Sequence, residues 1–192
     1  MLRETENIKD GVSWHHLFFS LSILFFCFPF GVKAQDWNSA RISILSPQQV
    51  NFVVNTMNEV QNGIVIPDGT VLGITVSNSA AGSALTGFEV TFSSYLGQPT
   101  FTGDAGSSMP LDVLELTATN FAGFGGGTSF LGPLSLDAVP QIIVTSTETT
   151  TNWATHQIGI SYELGTDPLN GLEQFESGFY TIEIDFILEP TF

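Results

Sequence analysis

Residue types that carry nucleophilic or metal chemistry are scarce in this sequence. The only cysteine is Cys27, and of the three histidines only His156 lies beyond residue 34. No Gly-x-Ser-x-Gly motif is present, and this is the motif that exposes a serine nucleophile on a strand–helix turn. A usual zinc site needs several histidine or cysteine ligands. The sequence therefore predicts a non-catalytic protein without a zinc centre.

Carboxylates are the one abundant reactive group, with 19 Asp and Glu residues. A pair of them could form the acid dyad of a hydrolase, but their spacing carries no specificity for such a pair. Residues 167–176 offer several oxygen atoms around a turn, yet they lack the Asp-x-Asp-x-Asp-Gly spacing of a calcium loop. We therefore expect no cofactor, with calcium as the weaker alternative.

Aromatic residues supply the candidates for ligand contact. The run Gly123–Gly127 lacks the Lys-Ser/Thr of a phosphate-binding loop and is typical of a flexible loop. Phe121 and Phe124 on this loop form either a contact surface for sugar or protein, or a plug that folds back onto the core. Trp37 and Trp153 are candidates for stacking on a carbohydrate, with a core or anchor role as the alternative. His156 falls on the apolar face of a predicted strand, where a hydrogen-bonded core histidine is expected.

The N-terminal segment has the pattern of an export signal. The apolar run Leu17–Phe30 is shorter than the ~20 residues of a membrane span and is followed by the small-x-small pair Val32 and Ala34. We expect a signal peptide at residues 1–34 and a single domain at residues 35–192. The predicted location is the periplasm, the cell surface or the extracellular space, without stable membrane insertion after cleavage.

Charge limits the range of partners. The formal net charge is −15, and Arg41 is the only Lys or Arg after residue 34. Such an acidic surface repels phosphate backbones, so nucleic-acid binding is not expected. Because no cysteine follows residue 34, the predicted domain must be held by its core and not by disulfides.

Alternating apolar and polar residues predict strands along most of the chain, and no stretch shows the apolar period of a helix. Turn signals every 8–15 residues, among them Pro67-Asp68-Gly69, separate the strands. We predict an all-β fold, an antiparallel β-sandwich of seven to nine strands. The expected strands are 40–45, 70–77, 85–95, 111–119, 128–131, 141–146, 155–164 and the final stretch.

The final stretch has the clearest alternation. From Tyr180 to Leu188 every second residue is apolar, and Glu183 and Asp185 fall on the other face. We expect a central strand that lines the core, with Tyr180 as a tyrosine-corner residue. Ile187 is the exception on the polar face, which marks a place covered by another element or another chain.

A resemblance extends over most of the predicted domain. The early pattern Ile42-Ser43-Ile44 with Val50-Asn51-Phe52, the segment 58–67 and the closing residues 178–184 resemble the small secreted all-β proteins of Bacteroidota. More distantly they are similar to pilin-like and spore-coat-U-like subunits of chaperone–usher systems. This resemblance implies an immunoglobulin-like sandwich with a fimbrial-like role in assembly or cell adhesion, although the disulfide common in such pilins is missing.

Strand donation between subunits is the assembly mode that follows from this resemblance. Residues 40–54, with Ile42, Ile44, Val50 and Phe52, form the candidate strand to be added to a neighbour's sheet edge. The alternative is that they form the first strand of their own sheet. We therefore expect a non-catalytic exported structural or adhesive surface subunit whose partners are copies of itself or related subunits. A carbohydrate-binding module that uses the exposed aromatic residues for polysaccharide is the alternative.

Overall fold

The structure, a computed structural model, describes residues 39–78 and 84–192, and about half of these residues lie in strands. One α-helix, α1, spans Met57–Asn62, and 3-10 turns lie at Tyr95–Gly97, Asp104–Gly106, Leu111–Val113 and Leu172–Gln174. In chain order the strands are β1 (Ser39–Ser46), β2 (Ile64–Ser77), β3 (Gly87–Ser94), β4 (Thr100–Gly103), β5 (Ser108–Pro110), β6 (Leu114–Ala122), β7 (Thr128–Phe130), β8 (Leu134–Ser135), β9 (Gln141–Ser146), β10 (Gln157–Leu164), β11 (Tyr180–Thr181) and β12 (Ile184–Thr191).

The strands form two larger sheets and one small one. The first sheet has five strands in the order β1-β2-β10-β6-β8, and the second has four in the order β12-β3-β9-β7. Strands β11, β4 and β5 form the small third sheet. Every strand pair within them is antiparallel. The predicted all-β antiparallel sandwich is confirmed, but the described residues form twelve strands and not the predicted seven to nine, because short segments such as β5 and β8 also pair.

The core lies between the two larger sheets. It is built by the side chains that each strand turns inward, because successive strand residues point to opposite faces. Among the most deeply buried are the aliphatic and aromatic residues Leu72, Ile74, Val76, Phe88, Val90, Phe92, Leu116, Ile143, Ile158 and Ile160. These residues come from the segments with the clearest alternation, which is why the sequence located their strands.

Helix α1 was not expected from the sequence. Its first turn is a capping box: the Glu59 N–H donates to the Thr56 hydroxyl, and the Glu59 carboxylate accepts the Thr56 N–H at 2.8 Å. A hydrogen bond from the Asn55 N–H, followed by those with Thr56, lowers the pKa of Glu59. The Thr-x-x-Glu spacing in the sequence could have indicated this helix start. The two side chains accept hydrogen bonds from backbone N–H groups of the first turn that otherwise have no partner. The prediction of no helix was therefore wrong for this segment.

The turn predicted at Pro67-Asp68-Gly69 is a bulge inside β2. The register of β2 on β10 shifts between the pairs Ile160–Thr70 and Tyr162–Ile66, so these three residues lie opposite Ser161 alone. Asp68 has a φ of 46°, and its N–H donates to the Ser161 hydroxyl at 3.1 Å. The residues that favour turns here bend a continuous strand, as bulges do.

The last strand does not occupy the predicted central position. The stretch divides into β11 in the small sheet and β12, which is the outer strand of the four-stranded sheet. Alternation reports that one face is buried but says nothing about the neighbours on either side. Tyr180 does make the bond expected of a tyrosine corner, because its hydroxyl donates to the Glu176 carbonyl at 2.9 Å.

Two sequence predictions concern residues that the structure does not describe. The predicted signal peptide at residues 1–34 and the candidate contact residue Trp37 both lie outside the described residues. Within residues 39–78 and 84–192, no helix has the length and apolar character to cross a membrane.

Candidate functional site

The predicted assembly residues lie in and directly after β1. Ile42 is partly buried against the core, whereas Ile44 on the same face remains 48% exposed. Val50 and Phe52 follow the strand and also pack, partly buried, against the core. The structure therefore places all four residues in the chain's own sandwich, which is the alternative to donation into a neighbour.

Strands β1 and β12 lie beside each other at one side of the sandwich, here called the β1/β12 side. β1 is the outer strand of the five-stranded sheet and β12 the outer strand of the four-stranded sheet, and their Cα atoms approach within 8 Å. Among the described residues no ladder joins the two strands. Within residues 39–78 and 84–192, no further strand continues either sheet on this side, so the outer edges of β1 and β12 present backbone groups without a ladder partner. We call these the two open edges.

The hydrogen bonds of β2 show which backbone groups of β1 face outward. The Ile74 N–H donates to the His156 carbonyl at 3.0 Å, on the β10 side of β2. Since backbone groups alternate between the two edges of a strand, Gly73 and Thr75 face β1 and bond with Ser43 and Arg41. The N–H and C=O groups of Ala40, Ile42 and Ile44 therefore face outward.

The open edge of β12 follows from the same alternation. The Tyr95 N–H donates to the Glu183 carbonyl at 2.8 Å, in register with the β3–β12 ladder. Odd-numbered residues of β12 therefore bond with β3, and the backbone groups of Ile184, Phe186 and Leu188 face outward. Pro190, which has no N–H, occupies an outward position, as proline in outer strands does.

Charges of opposite sign lie on the outer faces of these two strands. Arg41 is exposed on β1 and makes no ion pair among the described residues. On β12 the outer face carries Asp185 and Glu189, and Glu189 lies directly opposite Glu89 of β3. Like charges in directly opposite positions destabilise a ladder. The edge of β12 therefore carries an acidic pair without a cationic partner in its own sheet.

The glycine-rich loop lies at another part of the sandwich and acts as a plug. Phe124 is only 7% exposed, and its ring centroid lies 6.1 Å from that of Phe88 and 5.8 Å from that of Phe130. Phe121 is 50% exposed. Of the two alternatives for this loop, Phe124 takes the core position and only Phe121 offers an exposed ring. Phe124 is therefore not available for ligand contact.

A small polar network holds the loop in place. The Gly125 N–H donates to Oε1 of Glu148 at 2.8 Å, and Oε2 of Glu148 lies 3.4 Å from Nε2 of His156. Nδ1 of His156 accepts the Asn152 N–H at 3.2 Å, so the neutral ring carries its proton on Nε2. The ring also packs edge-on against Phe124, with centroids 5.3 Å apart. His156 is thus a hydrogen-bonded structural residue.

Trp153 is the second candidate contact residue that remains exposed, at 48%. The backbone N–H of Trp153 donates to the Thr75 hydroxyl at 3.2 Å, and this bond fixes the turn that carries the indole ring. The indole ring is therefore presented from a backbone that is held against β2.

A shallow cleft of about 350 Å³ was missed by the sequence reasoning. It is lined by residues from three separated segments, namely Tyr95, Leu96, Gln98, Thr102, Thr181, Ile182 and Glu183. Leu96 has a φ of 52° and is 82% exposed, an unusual state for a large aliphatic residue. The lining residues are brought together by the pairing of β4 with β11, which are far apart in the sequence. The only local sign of the cleft was therefore the dipeptide Leu96-Gly97, which indicates a turn directly after a strand.

Acidic residues meet on the outer face of the five-stranded sheet. Glu115 lies directly opposite Glu163 in the β6–β10 ladder. Burial raises the pKa of Glu115 above its ordinary value of 4.5, and the charges of Glu163 and Asp167 raise it further. Among the described residues, no group of three or more His, Cys, Asp or Glu side chains is arranged to hold a metal ion. Because Glu115 and Glu163 carry like charges in directly opposite positions, the pair destabilises the ladder.

Replacing Glu115 with glutamine is expected to stabilise the fold at pH 7 by on the order of 0.5 kcal/mol, the scale of exposed charge interactions. Because the folded state raises this pKa, the wild type loses stability as pH rises from about 4.5 through the raised value. The gain from the substitution should vanish below that window. Urea unfolding at pH 3.5 and 7 measures it. Glu176→Gln, at an exposed position, is the matched control, and an equal gain for both variants would contradict the assignment.

No protein-family model and no curated protein sequence matches this chain. Inferences about its function therefore depend on the geometry of the described residues. The resemblance to pilin-like subunits stays a prediction.

Proposed function

We propose that this chain is a non-catalytic, exported structural or adhesive surface subunit that assembles with copies of itself or with related subunits through strand pairing. The observation that carries this proposal is the β1/β12 side, where the outer strands of both larger sheets lie together. Natural sheets usually guard such edges with lysine, proline or a covering element. Here β1 has no lysine and no proline, and β12 has only Pro190 near its end.

The side chains at this place also support association. Ile44 points toward the core side of its sheet but stays half exposed, and Phe186 and Leu188 on β12 are only partly buried. A strand added at this side would cover these apolar side chains and would also give the outward backbone groups hydrogen-bond partners. Burial of alternate side chains and pairing of backbone groups are the two contributions that stabilise strand addition.

The immunoglobulin-like form of the sandwich is part of the proposal. Sheets of five and four antiparallel strands and the bond between the Tyr180 hydroxyl and the Glu176 carbonyl support it. Export rests on the N-terminal pattern of residues 1–34. N-terminal sequencing of protein recovered outside the cytoplasm should give Gln35 as the first residue, and an intact N-terminus would contradict export by this signal.

Self-association can be measured by sedimentation velocity of the full chain, purified as its expression host processes it. We expect reversible association at micromolar concentrations, weakened at least tenfold by Ile44→Ser. Val139→Ser is the matched control, since Val139 is also an exposed aliphatic residue but precedes β9, an inner strand of its sheet. A wild-type protein that stays monomeric up to millimolar concentration would contradict the proposal.

The alternative function, a carbohydrate-binding module, is supported by a different observation. The cleft beside Tyr95 combines an aromatic ring with the polar side chains of Gln98, Thr102 and Glu183, and the exposed Trp153 offers a separate platform. Aromatic faces with a few polar groups are the usual means of holding a sugar ring.

A glycan array with purified wild-type protein tests this alternative. Tyr95→Ala and Trp153→Ala should each be compared with Leu169→Ala, which alters an exposed apolar residue elsewhere. Loss of a glycan signal with only one aromatic variant would identify the site. Absence of any wild-type signal would exclude the module.

A further inference from the structure

We infer that two copies of this chain form a closed two-fold dimer through the β1/β12 side. In this dimer β1 of each copy pairs with β12 of the other. The five-stranded sheet of one copy then continues into the four-stranded sheet of its partner, and the reverse holds on the opposite layer. The inference rests on the proposed function, because it specifies the partner and the facing charges for the same surface.

The backbone of both edges is prepared for such pairing. On β1 the outward N–H and C=O groups belong to the residues on the core side of the strand, namely Ala40, Ile42 and Ile44. Of these, Ile42 is partly buried against the core, whereas Ala40 and Ile44 are exposed. On β12 the outward groups belong to Ile184, Phe186 and Leu188, whose side chains also pack against the core. The two edges therefore have matching alternation. When they pair, inner side chains meet inner side chains and outer ones meet outer ones.

Two-fold symmetry allows two ways of joining this side to itself. An axis perpendicular to the sheets pairs β1 with β1 and β12 with β12, whereas an axis along the strands pairs β1 with β12 twice. A closed dimer with self-complementary surfaces is the commonest oligomer of soluble proteins. The backbone alone does not distinguish the two arrangements, so the charges must.

The charges favour the crosswise arrangement. Arg41 on the outer face of β1 would meet the outer face of the partner's β12, which carries Asp185 and Glu189. These two carboxylates lie about 13 Å apart along the strand, so one guanidinium group contacts only one of them, and we place it beside Glu189. The perpendicular axis would instead place Arg41 against its own copy and the acidic residues of β12 against theirs. Like charges juxtaposed in an interface oppose association. Arg41 is also the only Lys or Arg after residue 34, and it lies on one of these two edges.

The acidic pair on the β12 side gives a second reason. Glu189 and Glu89 are directly opposite in the ladder, and this repulsion persists in the monomer. A guanidinium group from the partner would relieve it. The remaining carboxylates contribute less, because at physiological ionic strength charges more than about 8 Å apart are largely screened.

A charge exchange tests this dimer. Sedimentation velocity of the full chain should show a dimer for the wild type and at least a tenfold higher dissociation constant for Arg41→Glu and for Glu189→Arg. The double variant Arg41→Glu/Glu189→Arg should restore the dimer, because it exchanges the two signs. Glu173→Arg is the matched control: it makes the same charge change at an exposed position in the Leu172–Gln174 turn and should leave the dimer intact.

A proline substitution separates strand pairing from simple charge attraction. Ala40→Pro removes an outward N–H without touching the ladder to β2, so it should raise the dissociation constant at least tenfold. Ala40→Thr keeps the N–H and should not. Thermal unfolding of each variant confirms that the monomer is folded.

Failure of the crosswise dimer can be distinguished from failure of the proposed function. A dimer that Arg41→Glu, Glu189→Arg and Ala40→Pro leave unchanged would overturn the crosswise pairing but would leave an assembling subunit. A ladder of larger oligomers would overturn the closed dimer and support open strand donation. A wild-type monomer would overturn both proposals.

Discussion

Phe124→Ala should lower the free energy of unfolding by about 3 kcal/mol, the lower range for removal of a buried phenylalanine. For a domain of this size the melting temperature would fall by roughly 6–12 °C. The ring is 7% exposed and contacts the rings of Phe88, Phe130 and His156. Its loss would leave a cavity beside these rings. Urea unfolding followed by tryptophan fluorescence measures the change.

Phe121→Ala is the control for this prediction, because it removes the same side chain three residues earlier. Phe121 is 50% exposed, so its substitution should change the free energy of unfolding by less than about 0.5 kcal/mol. The comparison distinguishes a plug from a contact surface. Equal effects of the two substitutions would mean that the loop does not cover the core as described.

Gly123→Ala should destabilise the fold by about 3 kcal/mol, because two penalties combine. Gly123 has a φ of 83°, in the left-handed region that a residue with a Cβ atom adopts at a cost. A Cβ atom there would also overlap the carbonyl oxygen of Thr155, which is backbone and cannot move aside. The substitution would therefore displace the loop and with it Phe124. Chemical unfolding of the purified variant measures the loss.

Gly126→Ala, in the same loop, should have the opposite sign. Nothing lies within 4 Å of the position of its Cβ atom, and its φ is not in the left-handed region. Reducing the freedom of the unfolded chain should therefore stabilise the protein by roughly 0.4–1 kcal/mol. If both glycine variants lost stability equally, the loop conformation described here would be wrong.

Local patterns were enough to locate the strands. The alternation that predicted a strand at residues 141–146 corresponds to β9 (Gln141–Ser146), and the segment 155–164 contains β10. Each such pattern needs only one buried face, which is a property of consecutive residues. The same reasoning failed at Pro67-Asp68-Gly69. These turn-forming residues only bend the strand there, because β2 pairs with β10 both before and after them.

The candidate contact residues were less predictable. β6 extends to Ala122 and therefore includes Phe121, whereas the predicted strand ended at residue 119 and left both Phe121 and Phe124 in the loop. The packing of Phe124 against strands that are distant in sequence decides which of the two rings joins the core. The cleft beside Tyr95 was invisible for a similar reason, because its lining comes from segments joined only by long-range pairing.

The sequence by itself determined the all-β class, the acidic character and the dependence on a core without disulfides after residue 34. These follow from composition and from short-range alternation. Only the tertiary structure decided which strands are outer strands, that β1 and β12 share one side, and that Arg41 and Glu189 lie on its two edges. The physical reason is that burial of a face is encoded between neighbours in the chain. The lateral hydrogen-bond partner of a strand is chosen by residues far away, and alternation is the same for an inner and an outer strand.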